Sequence, residues 1–348
     1  MKIVVSSWKD SQEIIRSVKR HVFSIIRRFT FKRFMNLMLA FYEAKNKFTV
    51  LKSHPVYLRI NPCTVCNLSC PGCEVGIAGP ALELKKVNQP GTKIMNFETF
   101  KKCIEPLKEY LFQISLYDEG EPFLNPELEL MVAYARKLNI STCISSNLSL
   151  RITDQKINNI ISSGLDHLVV AIDGTTQEVY EKYRKGGSLD LVLNNIKRFA
   201  EAKNKLKNRD LLIDMQFIIF DHNKHQVEGM KLLAKELKVG RLTMFPSYTC
   251  RQEAIKFKGG FEERKKLGCY CLWLMADVTA DGKLYPCDYG EDNLMPPVGS
   301  LVNEEFITLW NNPFMQLARA AFQKNSKQPF SEICSQCPRH FGMIPILR

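Results

Sequence analysis

Cys66, Cys70 and Cys73 lie at spacings of four and three residues, directly after the apolar run Val56-Tyr57-Leu58-Arg59-Ile60. Three thiols on one short loop make a metal site, because independent burial of three core cysteines does not produce so tight a cluster. A structural zinc site needs four closed ligands, usually as two separated pairs, and this loop offers a triplet with no His or fourth Cys at such a spacing. An iron-sulfur cluster suits it better: soft thiolates hold the irons, and the missing fourth ligand leaves one iron open to another molecule. Cys63, three residues upstream, is read as outside the set, since including it would close the site.

The elements that must position this loop follow it. Short apolar runs at 57–61, 112–117, 142–146, 167–172, 211–219 and 241–245 alternate with helical periodicity at 97–109, 127–137, 154–163, 189–203 and 226–237. Strand then helix, repeated, requires an α/β fold with a parallel sheet and function at the C-terminal ends of its strands.

Cys-x3-Cys-x2-Cys after a first strand resembles the signature of the radical SAM superfamily. The resemblance implies a partial (β/α)6 TIM-like barrel over 52–248. It also implies a 4Fe-4S cluster whose open iron takes S-adenosylmethionine (SAM), and reductive cleavage of SAM to a 5'-deoxyadenosyl radical. Several strand ends are similar to the superfamily's SAM-binding segments. Asp118-Glu119-Gly120-Glu121-Pro122 resembles Gly-Gly-Glu-Pro, so Gly120, Glu121 and Pro122 are expected at the SAM amino group, with Glu119 where a Gly is commonest. Ser145-Ser146-Asn147 resembles the segment that hydrogen-bonds the ribose hydroxyls, which implies Ser145 and Asn147 as ribose contacts. Asp173, before Gly174, and the downstream Arg184 resemble the Ser-x-Asp-Gly and Arg that bind the SAM carboxylate, with Ala171 replacing the Ser. Arg184 suits that role because a planar guanidinium takes a carboxylate bidentately. Singly, Gly-Glu-Pro and Asp-Gly are common turns and an Arg is usually a surface cation. Their order after successive strands is what carries the assignment. Gln216, polar inside the fifth strand, either faces the barrel lumen or is a satisfied buried amide.

A second set of cysteines closes the chain. Cys271 is followed by Gly282 and Cys287, with Asp281-Gly282 reading as a hairpin turn between strands at 276–279 and 283–285, and then by Cys334 and Cys337. Four thiols of this kind can hold zinc or a second 4Fe-4S cluster. The pattern resembles the SPASM extension in its reduced "twitch" form, which implies a small Cys-rich domain over 249–348 with one auxiliary cluster closed by four ligands and serving electron transfer. Cys250 and Cys269 are unassigned, and each is either a hydrogen donor to a substrate radical or an ordinary core or loop Cys.

The 348 residues are 45 % hydrophobic, enough for a substantial core, and carry a net charge of +13. Eleven Lys or Arg against three Asp or Glu fall in the first fifty residues. Over 14–48 the pattern is basic and amphipathic. Val22, Ile25, Ile26 and Phe29 share one helical face, and Phe31, Phe34, Met35, Met38 and Phe41 a second register. Arg16, Lys19, Arg20, Arg27, Arg28, Lys32 and Arg33 are set opposite. This basic helical extension over 1–51 either lies in an anionic membrane surface or packs against the barrel with its cations in water. No nucleic-acid motif accompanies it, and none is expected as a partner. No run approaches 18 apolar residues and no signal peptide is evident, so the reading is cytoplasmic, with peripheral contact at the inner membrane surface as the alternative. Twelve cysteines agree with a reducing compartment.

The expected function is therefore hydrogen abstraction from a substrate carbon by a radical SAM enzyme of oxidoreductase or epimerase type, with a flavodoxin or ferredoxin as reductant. Tyr180-Glu181-Lys182-Tyr183-Arg184-Lys185-Gly186-Gly187 resembles a branch associated with carbohydrate, antibiotic or lipid-linked metabolites. The alternatives are maturation of a ribosomal peptide and, outside enzymes, a zinc-stabilised binding protein.

Overall fold

The computed structural model describes residues 1–5, 26–73, 75, 94–247, 269, 271–287, 295–323 and 325–326. In chain order its main elements are β1 (Lys2–Val5), α1 (Phe31–Asn46), β2 (Tyr57–Ile60), α2 (Phe97–Ile104), β3 (Gln113–Leu116), α3 (Leu128–Lys137), β4 (Ser141–Ser146), α4 (Asp154–Ser162), β5 (His167–Ala171), α5 (Gln177–Tyr183), α6 (Leu189–Lys205), β6 (Leu212–Ile219), α7 (Val227–Glu236), β7 (Arg241–Pro246), α8 (Cys271–Leu274), β8 (Met275–Val278), β9 (Lys283–Tyr285), β10 (Gly299–Ser300), α9 (Phe306–Trp310) and α10 (Pro313–Ala320). They fall into two compact units: residues 1–10, 61–97 and 115–249, and residues 11–60, 98–114 and 250–348. Strand β3 contributes residues to both.

The first unit is built from parallel strands. β4 pairs with β5, β5 with β6 and β6 with β7, all parallel, and β1 adds in parallel to the far side of β7. β1 is absent from the sequence reading, because four residues carry no alternating pattern long enough to register. Alternation sorts the strands into two faces. Ile144, Leu168, Val170, Met215, Phe217, Leu242 and Met244 are fully buried. They form an apolar face matched by the buried stripes of the helices, such as Ile157, Ile160 and Ile161 of α4 and Val192, Ile196 and Phe199 of α6. The other face carries a polar network. His167 Nδ1 lies 3.5 Å from Cys143 Sγ and its Nε2 3.3 Å from Asp214 Oδ2, while Arg241 Nη1 and Thr243 Oγ1 donate to the same carboxylate.

In the second unit β2 pairs in parallel with β8, and β8 with β9 in an antiparallel hairpin turned at Asp281-Gly282, as expected; β10 extends it. Gly282 has φ of +80° and an added Cβ would meet Val302 at 2.7 Å, so the turn requires glycine. Trp273, Trp310, Phe306 and Phe112 fill this core. Arg319 of α10 is fully buried against them, with Nε donating to the Leu272 carbonyl, Nη1 to that of Thr49, and the guanidinium 4.7 Å from the Trp310 ring centroid.

Helix α1 also belongs here, and it corrects the sequence reading. Thr30 caps its N-terminus and Lys47, at φ of 56°, ends it. Its buried residues are Arg33, Asn36, Leu37, Ala40 and Glu43, so Arg33 leaves the solvated basic face on which it was placed. Arg33 donates to the carbonyls of Arg28 and Lys108, Asn36 exchanges two hydrogen bonds with the His54 backbone, and Glu43 accepts from Lys52 N and from Ser53 N and Oγ. The part of the extension at 14–25 lies outside the described residues. Among the described residues no helix is long and apolar enough to cross a membrane.

Candidate active site at the strand ends

The thiol loop, 61–73, follows β2 and is fixed along its length by main-chain atoms and amides. Buried Asn125 donates from Nδ2 to the carbonyls of Pro62 and Met95 at 2.8 and 2.9 Å. Glu121 N donates to the Val65 carbonyl, Asn67 Nδ2 to the Ser149 carbonyl, and Ser69 N to the Lys185 carbonyl. The loop ends in a turn in which Cys73 N reaches the Cys70 carbonyl across Gly72 at φ of 77°. The ends of β3 and β4, together with the segment after α5, therefore hold the three thiols.

Gly120 explains why a glycine precedes Glu121. Its φ is +65°, and a Cβ there would lie 2.2 Å from the Cys63 carbonyl oxygen and 2.7 Å from that of Val65. The loop and the end of β3 approach so closely that only a bare backbone fits. Pro122 then opens a short 3-10 turn, for which the Glu121 side chain accepts from Phe123 N.

Glu121 is almost wholly buried and its carboxylate is fully engaged. Oε1 accepts from Phe123 N and from Ser146 Oγ at 2.7 Å, and Oε2 accepts from Asn147 N at 2.8 Å. Burial pushes its pKa above the usual carboxylate range, while these donors and Arg184 hold the rise back. The residue ties the end of β3 to the end of β4. Ser146, the middle residue of the Ser145-Ser146-Asn147 segment, is half of that tie, a structural role in place of a ribose contact. Asn147 Nδ2 reaches Asn67 Oδ1 at 3.1 Å and Cys66 Sγ at 3.8 Å, which joins the β4 end to the thiol loop. Leu148 follows at φ of 46°, a strained left-handed conformation held by Ser146 Oγ on its N–H and Asn195 Nδ2 on its carbonyl. Ser145 is half-buried one residue before Ser146.

At the end of β5, Asp173 is fully buried. Its Oδ1 accepts from Ile218 N and its Oδ2 from Arg184 Nε at 2.6 Å. Gly174 lets α5 approach, since a Cβ would lie 2.4 Å from Tyr180 N. Arg184 Nη1 is 3.9 Å from Cys70 Sγ, the guanidinium is 5.1 Å from the Tyr183 ring centroid, and Nη2 has no hydrogen-bond partner among the described residues. Burial, the largest single influence, opposes the charge on Arg184, but Asp173, Cys70, Tyr183 and Tyr180 together outweigh it and raise the pKa, so the cation is permanent. Asp173 thus acts on the site through Arg184.

The structure brings Cys66, Cys70, Cys73, Gly120, Glu121, Asn147, Asp173 and Arg184 into one connected constellation. Burial pushes the Cys66 thiol up to about 12, and Cys70 is raised by burial against the lowering pull of Arg184. Loading iron must therefore displace protons from these thiols. Cys63, buried and bonded to the Val65 carbonyl, is pushed up to about 11 by burial and faces the loop's own backbone. Among the described residues no three His, Cys, Asp or Glu side chains converge as the ligands of a single ion do. Cluster ligands need not, because each thiolate takes its own iron. An all-sulfur donor triplet, backed by a glycine cradle and a buried cation beside Cys70, fits a 4Fe-4S cluster with one open iron.

Of the second set, Cys271 is buried at the start of α8, Cys287 is half-buried just beyond β9, and Cys269 is half-buried two residues before Cys271. Cys250, Cys334 and Cys337 lie outside the described residues.

Comparison with known proteins agrees with this chemistry. The family model of the radical SAM superfamily matches residues 60–249, and that of the SPASM iron-sulfur cluster-binding domain matches 269–338, which sets zinc aside for the second set of thiols. The chain is 25 % identical over 327 residues to the PqqA peptide cyclase of Gluconobacter oxydans, covering 83 % of this chain and 84 % of the relative. It is also 25 % identical over 181 residues to the Fe-coproporphyrin III synthase of Methanosarcina barkeri, covering 52 % and 41 %. Among solved structures, Streptococcus suis SuiB bound to SAM superposes with a TM-score of 0.62 at 15 % identity, over 87 % of this chain and 76 % of that one. SuiB bound to its precursor peptide SuiA superposes with a TM-score of 0.60 at 14 % identity, over 96 % and 77 %. Their partial TIM-barrel fold is the α/β class expected here. The chain belongs to the radical SAM superfamily, with SAM, a SAM-binding 4Fe-4S cluster and auxiliary iron-sulfur chemistry in a C-terminal SPASM domain.

Proposed function

We propose that this enzyme modifies a peptide, forming a cross-link or ring within it by hydrogen abstraction. The observation that carries the reading is the similarity to a peptide cyclase along more than four-fifths of both chains. It favours the peptide over the carbohydrate, antibiotic or lipid-linked metabolite, and the resemblance around 180–187 gives no ligand contact to set against it.

When bound, SAM and its cluster supply a 5'-deoxyadenosyl radical that can take a hydrogen atom from an unactivated carbon. The chain's own residues bind and orient. Cys66, Cys70 and Cys73 hold three irons. Arg184, aimed by Asp173 and with Nη2 uncommitted, takes the SAM carboxylate. Gly120, Glu121 and Pro122 shape the pocket for the amino group, with Glu121 acting chiefly as the tie between strand ends. Ser145 and Asn147 meet the ribose. Cys271, Cys287, Cys334 and Cys337 would hold the auxiliary cluster, which would supply an electron acceptor for closure of the product bond. A flavodoxin or ferredoxin is the reductant. Residues 1–51, 52–248 and 249–348 form the extension, barrel and cluster module of this reading. A donor thiol, the role considered for Cys250 and Cys269, is needed only if a hydrogen atom returns to the substrate carbon.

The test is anaerobic incubation of the reconstituted enzyme with SAM, dithionite and candidate precursor peptides. Peptide-dependent 5'-deoxyadenosine and a peptide product lighter by two hydrogens are expected. If 5'-deoxyadenosine depends on a small metabolite and on no peptide, the substrate class is wrong.

A further inference from the structure

Helix α1 is built inside out. Its inward face carries Arg33, Asn36 and Glu43 among its five buried residues, each with hydrogen-bond partners in the second unit. Its outward face carries Phe31, Phe34, Met35, Met38 and Tyr42, with Phe31 73 % and Tyr42 57 % exposed. These follow the i, i+3, i+4, i+7 spacing of a single stripe. The flanks lengthen it. Phe29 packs on Phe34 at 5.8 Å between ring centroids, Phe48 packs edge-on against Tyr42 at 5.7 Å, and Ile26 and Val50 are exposed beyond them.

A polar core and an aromatic exterior cost a water-facing helix its main source of stability, so the stripe needs an apolar occupant. Charge identifies it. Between residues 26 and 52 the exposed or half-exposed charges are Arg27, Lys32, Lys45, Lys47 and Lys52, and the only acid, Glu43, is buried. Lys32 has the exposed Glu109 at 3.9 Å. A second copy docked by the same face would set these cations against their own copies. A peptide docks into a groove between elements, whereas this stripe is the ridge of one helix and its flanks. A fluid anionic surface accepts a ridge, with the rings in the acyl boundary and the cations at the headgroups.

We infer that the outward face of α1 docks the enzyme onto an anionic membrane surface, lying in the interface without spanning it. Sixteen residues give a helix of roughly 24 Å lying along the surface. This assignment is independent of the substrate class proposed above.

Flotation of the reconstituted full chain tests it, using vesicles of phosphatidylcholine alone and vesicles with about a third phosphatidylglycerol. The chain is expected to float with the anionic vesicles, less with the neutral ones, and less as salt rises. The triple variant Phe31→Ser, Phe34→Ser, Met38→Ser removes only exposed side chains, so its melting temperature should match the parent while vesicle binding falls at least about tenfold. Lys45→Glu should cost at least about fivefold on anionic vesicles alone. A parent that fails to float with anionic vesicles, or a correctly folded triple variant that floats as well as the parent, overturns the inference. So does sedimentation velocity showing a parent dimer that the triple variant dissolves, with no vesicle binding, because a second copy would then be the occupant.

Discussion

Both carboxylate oxygens of Glu121 are taken by donors of the chain, and both of Asp173 by Arg184 and Ile218 N. The motif residues at this site are thus first of all joints between strand ends. Gly120 is the tightest of these joints. Replacing it with alanine forces a Cβ onto the Cys63 and Val65 carbonyls at a positive φ, which no side-chain movement can relieve. Gly120→Ala is expected to cost about 2–4 kcal/mol in chemical denaturation and to lower the iron bound after reconstitution, measured per chain. In the second unit His54 stacks on Tyr110 with ring centroids 3.9 Å apart and an interplanar angle of 6°. Burial, and then Lys32, hold its pKa below the ordinary 6.5. A depressed folded-state value means that the unfolded chain binds the proton first, so the stability tied to neutral His54 is present above 6.5 and is lost as pH falls through the folded value. His54→Phe keeps the stack and removes the proton. Its melting temperature should fall less than the parent's between about pH 7 and pH 5.

Elements were legible where a pattern runs long enough to bury one side. The strands at 141–146, 167–171, 212–219 and 241–246 appear within two residues of their expected bounds, because β-branched and aromatic runs bounded by polar turns have few other uses. The amphipathic pattern of α1 was also legible, but a pattern gives a direction around the helix and not which direction is inward. That depended on Lys108, His54 and Ser53, distant in sequence from some of their partners by up to 75 residues. The His167, Asp214, Arg241 and Cys143 network escaped for the same reason: each member is ordinary alone, and only strand pairing brings them together. In α10, Arg319 is a buried clamp on the carbonyls of Leu272 and Thr49, stacked on Trp310, and its neighbours in sequence carry no sign of that role. Lysine cannot reproduce a planar fork, so Arg319→Lys is expected to cost about 2–4 kcal/mol in urea unfolding of the chain.

For the whole molecule, two sets of thiols imply a countable metal content. A three-Cys cluster in the barrel and one four-Cys cluster in the C-terminal domain should give about eight irons per reconstituted chain. The double variant Cys334→Ala, Cys337→Ala should retain about four and still cleave SAM, while Cys70→Ala should cleave none. Loss of cleavage in the double variant, with four irons still bound, would contradict the division of labour. The thiol loop itself carries a consequence for how the enzyme is made. Asn125, Asn67, Ser69 and Glu121 fix its course through bonds that need no metal, to carbonyls of the loop and of three other segments. A zinc finger has no such scaffold and stays unfolded until its ion arrives. Here the hydrogen bonds on the loop do not depend on metal. A chain stripped of its iron is therefore expected to keep its circular-dichroism spectrum and melting transition and to take up iron and sulfide again, and a chain that unfolds on iron removal contradicts this.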